Sequence, residues 1–311
     1  MKLSGIIAAA LTPLSNNGEH LAENQKFEQY YKFLLEHELN GLLIGGTTGE
    51  GPILSLQERK QVAGLAVSIV ANQIPVIIHA GCNSTVESIE LAQHANSINA
   101  DGIAVISPYF YTYDSQANFN HFRRVADSVP GLSVYLYHLP SFTHNDIPPA
   151  LIPKLFEACP NIVGIKHSDD DLMRLQEYRQ VAGEDFCILS GDDSVALTGL
   201  SNSANGCVSG KSSTFPEMMV AIYQAFKSGD LVKARKLQSN LNTLLGGLLD
   251  SEVGTDLAYF KSALRYRGLD IGGLRSPQRS LTRDEEKILF SGLDKLKTIS
   301  NPPDSWLFPD K

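Results

Sequence analysis

The chain has 311 residues, 43% hydrophobic and 19% charged, with a net charge of −8. This is the composition of a soluble globular protein with a full core. The acidic balance and the lack of any Lys/Arg run exclude a basic surface for nucleic acid, and no apolar stretch reaches the roughly 18 residues of a membrane span. The first apolar run, 6–11, ends in Thr12-Pro13 and carries one preceding positive charge. It is too short for the apolar region of a signal peptide and reads as a first buried strand. Seven further short runs follow, at 41–45, 75–79, 103–107, 133–137, 162–166, 186–190 and 206–209. Helical patterns separate them at 24–38, 56–70, 86–98, 117–127, 149–158, 171–181 and 195–201. Strands apolar on both faces, alternating with helices, mean a parallel sheet. Eight repeats predict a (β/α)8 TIM barrel of the α/β class. An open doubly wound sheet would carry a Gly-x-Gly-x-x-Gly turn after its first strand, where this chain has Leu11-Thr12-Pro13-Leu14-Ser15. After Phe215 the pattern is helical only, at 216–228, 230–249, 255–265 and 282–296, with a turn at Gly229-Asp230. The expected organisation is a barrel over 1–225 and a C-terminal helical region over 226–311.

Cys82, Cys159, Cys187 and Cys207 are widely spaced, with no Cys-x-x-Cys. A reduced, cytoplasmic protein is the expectation. The eight histidines form no compact metal-ligand cluster, so no metal site is expected.

In a barrel, chemistry sits at the C-terminal ends of the strands. Those ends read Gly45-Gly46-Thr47-Thr48-Gly49-Glu50, His79-Ala80-Gly81, Ser107-Pro108-Tyr109-Phe110-Tyr111, Tyr137-His138-Leu139-Pro140, Lys166-His167-Ser168 and Ser190-Gly191-Asp192-Asp193. Lys166 is the most informative. It closes an uncharged, β-branched run, where an ammonium without a partner is costly. Its amine can add to the ketone of a 2-oxo acid, and the resulting iminium withdraws electrons from the adjacent bond. Tyr137 on the neighbouring strand can move the proton. Thr47, Thr48 and the glycine-flanked backbone offer donors to a carboxylate before a helix start. Glu50 suits an anchoring role in that loop.

Each element has a plainer reading. Lys166 can reach solvent at a strand end, the Gly-Thr-Thr-Gly loop can be only a tight connection, and Tyr137 can be a core tyrosine. His79 and His138 read as structural hydrogen-bonders. Tyr109, Phe110 and Tyr111 read as packing or interface aromatics, and Asp169-Asp170-Asp171 as acids at a helix start. The convergence of all these residues on one end of a barrel favours the chemical reading.

The order of the motifs resembles the dihydrodipicolinate synthase/N-acetylneuraminate lyase family of class I aldolases. The resemblance rests on Gly46-Thr47-Thr48-Gly49-Glu50 with Leu56-x-Glu58-Arg59, Ala100-Asp101-Gly102 with Pro108-Tyr109, Tyr137-His138-Leu139-Pro140, Gly164-Ile165-Lys166-x-Ser168 and Ser190-Gly191-Asp192-Asp193. It implies a Schiff-base lysine at Lys166, an acid–base tyrosine at Tyr137 and a 2-oxo acid carboxylate held by Thr47 and Thr48. On this basis Lys166, Tyr137 and Thr48 are the candidate catalytic residues. Thr47, Thr48, Gly49, Ser168, Gly191, Asp192, Asp193 and Val208 are the candidate substrate-binding residues. The resemblance also implies no cofactor, a small-molecule 2-oxo acid substrate and a homotetramer or dimer.

Three departures bear on the substrate. The synthase branch has a second tyrosine after Pro-Tyr, where this chain has Phe110, and an arginine five residues after the strand-five tyrosine, where it has Phe142. A phenyl ring cannot replace a bidentate guanidinium. The Tyr-His-Leu-Pro and Lys166-His-Ser-Asp-x-Asp-Leu172 strings look more like animal-type sialic acid lyases, which carry Asp-Glu where this chain has Asp193-Ser194. An aldolase or dehydratase for a shorter 2-keto-3-deoxy sugar acid fits these departures, with Ser168, Asp192 and Asp193 as hydroxyl partners. Two other classes remain open. Pyruvate trapping separates out a silent binding barrel, and EDTA separates out a metal-dependent aldolase or hydrolase.

Overall fold

The structure, a computed structural model, describes residues 2–249 and 256–299. The part of the expected C-terminal region at 250–255 and 300–311 lies outside the described residues. Eight strands form a closed parallel barrel: β1 Gly5–Ala9, β2 Gly41–Ile44, β3 Val76–His79, β4 Gly102–Ile106, β5 Ser133–His138, β6 Ile162–His167, β7 Cys187–Ser190 and β8 Gly206–Ser209. Closure is made by β1 against β8, with Gly5 opposite Gly206. Twelve helices are described: α1 Asn24–Leu35, α2 Leu56–Val70, α3 Thr85–Ser97, α4 Ser115–Asp127, α5 Pro140–Thr143, α6 Ile152–Ala158, α7 Met173–Ala182, α8 Ala196–Ser201, α9 Pro216–Lys227, α10 Leu231–Leu249, α11 Asp256–Tyr266 and α12 Arg283–Ile299. The division expected between residues 225 and 226 falls within α9.

The strand side chains sort by alternation. Ile6, Ala8, Leu42, Ile44, Ile78, Ile103 and Val105 join the core beneath the helices. Ile7, Ala9, Leu43, Ile77, Ala104, Tyr135, Leu189 and Val208 fill the barrel interior. Between β5 and β6 the register slips by one, so Val134 pairs with Ile162 but Tyr135 with Gly164. That bulge adds a residue to β6, and it places Lys166 level with the inward-facing Tyr137. Gly164 is needed at the slip. A Cβ there would lie 2.4 Å from the Cys187 carbonyl oxygen and 2.9 Å from the Tyr135 ring.

The expected helix 56–70 is found with the same bounds, opened by a capping box between Ser55 and Glu58. Other ends move for local reasons. α7 starts at Met173, after a turn in which the Asp171 carboxylate accepts the Met173 N–H. β1 ends at Ala9, and the Leu11 N–H is then taken by the Tyr30 hydroxyl. Segment 149–158 splits into a single tight turn, Pro149–Leu151, and α6. The four cysteines are free and buried. Among the described residues no helix is long and apolar enough to cross a membrane.

Candidate active site

The strand ends open into a pocket of about 650 Å³ lined by Thr47, Thr48, Tyr137, Lys166, Ser168, Gly191, Asp193 and Val208 among others. Lys166 is only 7% exposed. Its Nζ lies 4.0 Å from the centroid of the Tyr137 ring. The Tyr137 hydroxyl shares a 3.2 Å hydrogen bond with Thr47 Oγ1. Amine, phenol and threonine hydroxyl thus stand in line across three strand ends.

The supporting shell is polar and buried. Arg59 on α2 donates to the carbonyls of His79 at 2.7 Å and Gly81 at 3.1 Å, and to His79 Nδ1 at 3.1 Å. A guanidinium has only donors, so Nδ1 accepts and the proton of neutral His79 sits on Nε2. Burial, then the charges of Arg59 and Lys166, hold His79 well below the ordinary imidazole range. The His79 ring meets the Tyr137 ring edge-on at 5.8 Å. This grip fixes the end of β3 and one side of the phenol.

The Thr47–Thr48 loop is held from below. Glu50, with backbone in the left-handed region, makes a buried ion pair with Lys261 of α11 at 2.8 Å and accepts the Arg275 N–H at 2.8 Å. The anchoring role expected of Glu50 therefore reaches into the C-terminal helices. Gly49 lies behind the loop, outside the pocket lining: its carbonyl accepts the Thr12 hydroxyl at 2.6 Å, and a Cβ would lie 2.9 Å from the Ala10 carbonyl oxygen.

On the β7 side, Gly191 makes room for the lysine. A Cβ there would lie 1.8 Å from Ser168 Oγ and 3.0 Å from Lys166 Cε. Ser168 Oγ and Asp193 Oδ1 are buried without hydrogen-bond partners, and both residues line the pocket. Asp193 Oδ2 accepts the Lys211 N–H at 3.1 Å. Burial raises the Asp193 carboxyl, an effect opposed by Lys211. Asp192 faces elsewhere. Its Oδ1 is occupied by the Ser194 N–H and hydroxyl, and it lines an adjoining recess of about 420 Å³ with Asp169 and Asp170.

Polar and aromatic pocket residues that the strand-end motifs do not include are Lys211 after β8 and Asp256, Phe260 and Gln278 from the C-terminal region; Ala9, Pro52, Ile53, Gly210 and Leu257 complete the apolar lining. Lys211 stands just past the end of β8, where the strand-end rule also applies. Phe142 is 64% exposed and forms a pocket wall. Phe110 is 79% exposed, has φ of 81°, and lies outside the pocket lining. No arginine lines the pocket among the described residues.

His138 and His167 point the other way, out of the barrel. Their Nδ1 atoms are 2.9 Å apart and the rings stack at 5.1 Å. His167 Nε2 donates to the Asp171 carbonyl at 3.0 Å, so its Nδ1 accepts and His138 Nδ1 donates. His138 Nε2 lies 2.8 Å from Asp146. Burial and mutual repulsion hold His138 low, at about 4. This pair ties the ends of β5 and β6 together beside Tyr137 and Lys166.

Comparison with known proteins gives one family. The model of the dihydrodipicolinate synthetase family matches residues 2–295. The chain is similar to the 4-hydroxy-tetrahydrodipicolinate synthase of Bartonella quintana (strain Toulouse), at 33% identity over 291 residues, 94% of this chain and 97% of that protein. It is also similar to the solved 4-hydroxy-tetrahydrodipicolinate synthase of Methylacidiphilum fumariolicum SolV, with TM-score 0.87 and 32% identity over 96% of this chain and 97% of that one. A Ruminococcus gnavus sialic acid aldolase shares the fold with TM-score 0.90 at 24% identity, covering 96% of this chain and 98% of that one.

Proposed function

The chain belongs to the dihydrodipicolinate synthetase family of class I lyases and aldolases, and from that premise we propose that it cleaves a 2-keto-3-deoxy sugar acid through a Schiff base at Lys166, releasing pyruvate. The observation that carries this reading is the alignment of Lys166, Tyr137 and Thr47 in one pocket. The amine adds to the C2 ketone and water leaves, giving an iminium. Tyr137 gives its proton to the departing water, and its phenolate then takes the proton of the C4 hydroxyl as the C3–C4 bond breaks. The electrons of that bond move into the iminium, leaving an enamine and a free aldehyde. Protonation of C3 and hydrolysis then return pyruvate and the amine. Thr47 and Thr48 hold the carboxylate, with Thr48 also keeping the C1–C2 end in line for attack. Ser168, Gly191, Asp193 and Val208 bound the rest of the chain, and the unpartnered Ser168 Oγ and Asp193 Oδ1 accept or donate to its hydroxyls. Asp192 serves the outer recess. Assembly as a homotetramer or dimer belongs to the same reading.

A second reading is a synthase-type condensation of pyruvate with an aldehyde, as the names of the relatives suggest. Lys211 is the feature that favours it, as a second pocket amine able to meet a carboxylate. The first reading is preferred because Phe142 forms the wall and, in the neighbouring recess, Lys211 is outnumbered by Asp169, Asp170, Asp192, Asp193 and Asp256. A second anion there would meet like charges. The test is incubation with pyruvate and borohydride, followed by peptide mass analysis. The reduced adduct is expected on the peptide holding Lys166; no adduct, or one elsewhere, overturns the Schiff-base assignment. A panel of 2-keto-3-deoxy acids, sialic acid and aspartate semialdehyde with pyruvate then decides the substrate.

A further inference from the structure

A further cavity, of about 250 Å³, lies between α3 and α4, away from the barrel pocket. Its walls include Asn83, Thr85, Asn118, Asn120, His121 and Arg124. Arg124 is the one charged side chain in that lining. Asn83 Oδ1 is already committed to the Tyr109 N–H at 3.0 Å, and Asn120 Oδ1 to the Gln116 amide at 3.1 Å. Each therefore has its NH₂ end to offer. Among the described residues no carboxylate is in the lining; Asp114, at the start of α4, is tied to the Ala117 N–H at 2.7 Å.

Two further groups are buried and unsatisfied. Asn118 is 3% exposed and His121 4% exposed, and Asn118 Oδ1 and His121 Nε2 have no hydrogen-bond partner. Orphaned polar atoms in a buried wall are costly unless something meets them. His121 Nδ1 is 2.9 Å from the Thr85 hydroxyl. When that hydroxyl donates, the ring proton sits on Nε2 and becomes one more donor into the cavity. Asn118 Oδ1 is the one orphaned acceptor; against it the lining sets one cation and the N–H donors of Asn83, Asn120 and His121.

We infer that this cavity is a binding site for a small oxyanion, either a phosphate or a carboxylate group, held by Arg124 and His121. An anion also removes a conflict already present. Burial and the Arg124 charge hold His121 down to about 4, and a bound anion would offset both effects. The site is independent of the chemistry at Lys166.

The test is NMR of the His121 ring in the full chain, titrated with inorganic phosphate and with acetate, with sodium chloride at matched ionic strength as control. A saturable shift at millimolar phosphate or acetate is expected, with the His121 pKa raised in the bound state, and the two arms tell a phosphate site from a carboxylate site. Arg124 is exposed, so R124Q keeps the fold. Its affinity for the anion should fall by about tenfold or more, while pyruvate trapping at Lys166 is unchanged. An equal shift with chloride, no saturable shift with either anion, or undiminished affinity in R124Q would overturn the assignment.

Discussion

Glu50 and Lys261, 211 residues apart in the chain, form a buried ion pair at 2.8 Å. The pair fastens the loop carrying Thr47 and Thr48 to α11. Lys261 also donates to the Gly273 carbonyl at 2.6 Å. Lys261→Met should leave a buried carboxylate without its cation, at a cost of about 3–5 kcal/mol. Urea unfolding measures this. The double variant Glu50→Gln/Lys261→Met should recover part of the loss; strict additivity would show that the two do not act as a pair.

Tyr137→Phe removes the phenol and keeps the ring beside Lys166 and His79. As a proton carrier, Tyr137 should be worth about 10²–10⁴ in kcat. KM should change far less, and borohydride trapping of pyruvate should persist. An unchanged kcat would return Tyr137 to a packing role.

Gly191→Ala places a methyl group against Ser168 and Lys166 Cε. The lysine must then move out of line, and a displacement on the order of 1 Å can cost about 10²-fold in rate. Trapping at Lys166 should slow accordingly, while the thermal midpoint falls only modestly. Trapping at the wild-type rate would mean that the pocket yields at Ser168 alone.

Phe142→Arg supplies the guanidinium that the pocket lining lacks. It should improve kcat/KM for condensation of pyruvate with a carboxylate-bearing aldehyde by about tenfold or more. Turnover of the preferred sugar acid should fall, and EDTA should affect neither activity. Efficient condensation by the wild-type chain, matching or exceeding cleavage of any sugar acid, would reverse the order of the two functional readings.

Stability should fall as the pH drops from about 6.5 to about 4. His79, His121, His138 and His167 are all held below the ordinary imidazole value of 6.5, with His121 and His138 at about 4, chiefly by burial. In that window the unfolded chain binds protons that the folded chain refuses, so acid favours unfolding. Asp193 and Glu217, raised by burial, act in the opposite sense but are fewer. His121→Gln should flatten the slope of thermal midpoint against pH. A midpoint that rises on acidification through this range would contradict the assignment.

The sequence determined the repeating architecture. Each strand is buried on both faces, so each appears as a short apolar run whatever its partners, and Gly206–Ser209 and Leu56–Val70 could be read to the residue. It also placed the candidate site residues at strand ends, because barrel topology sends every such end to one mouth. Tertiary structure alone decided how those ends are completed. Asp192 and Asp193 are adjacent in sequence, yet one caps a turn beside the outer recess and the other is buried in the pocket wall. The Lys261–Glu50 pair, the Asp256, Phe260 and Gln278 lining and the His138–His167 contact join segments whose local patterns carry no trace of one another. Periodicity records which face of an element is buried, not what is buried against it. The side chains that close this pocket come from α11 and the segment after it, far along the chain from the strand ends they cover.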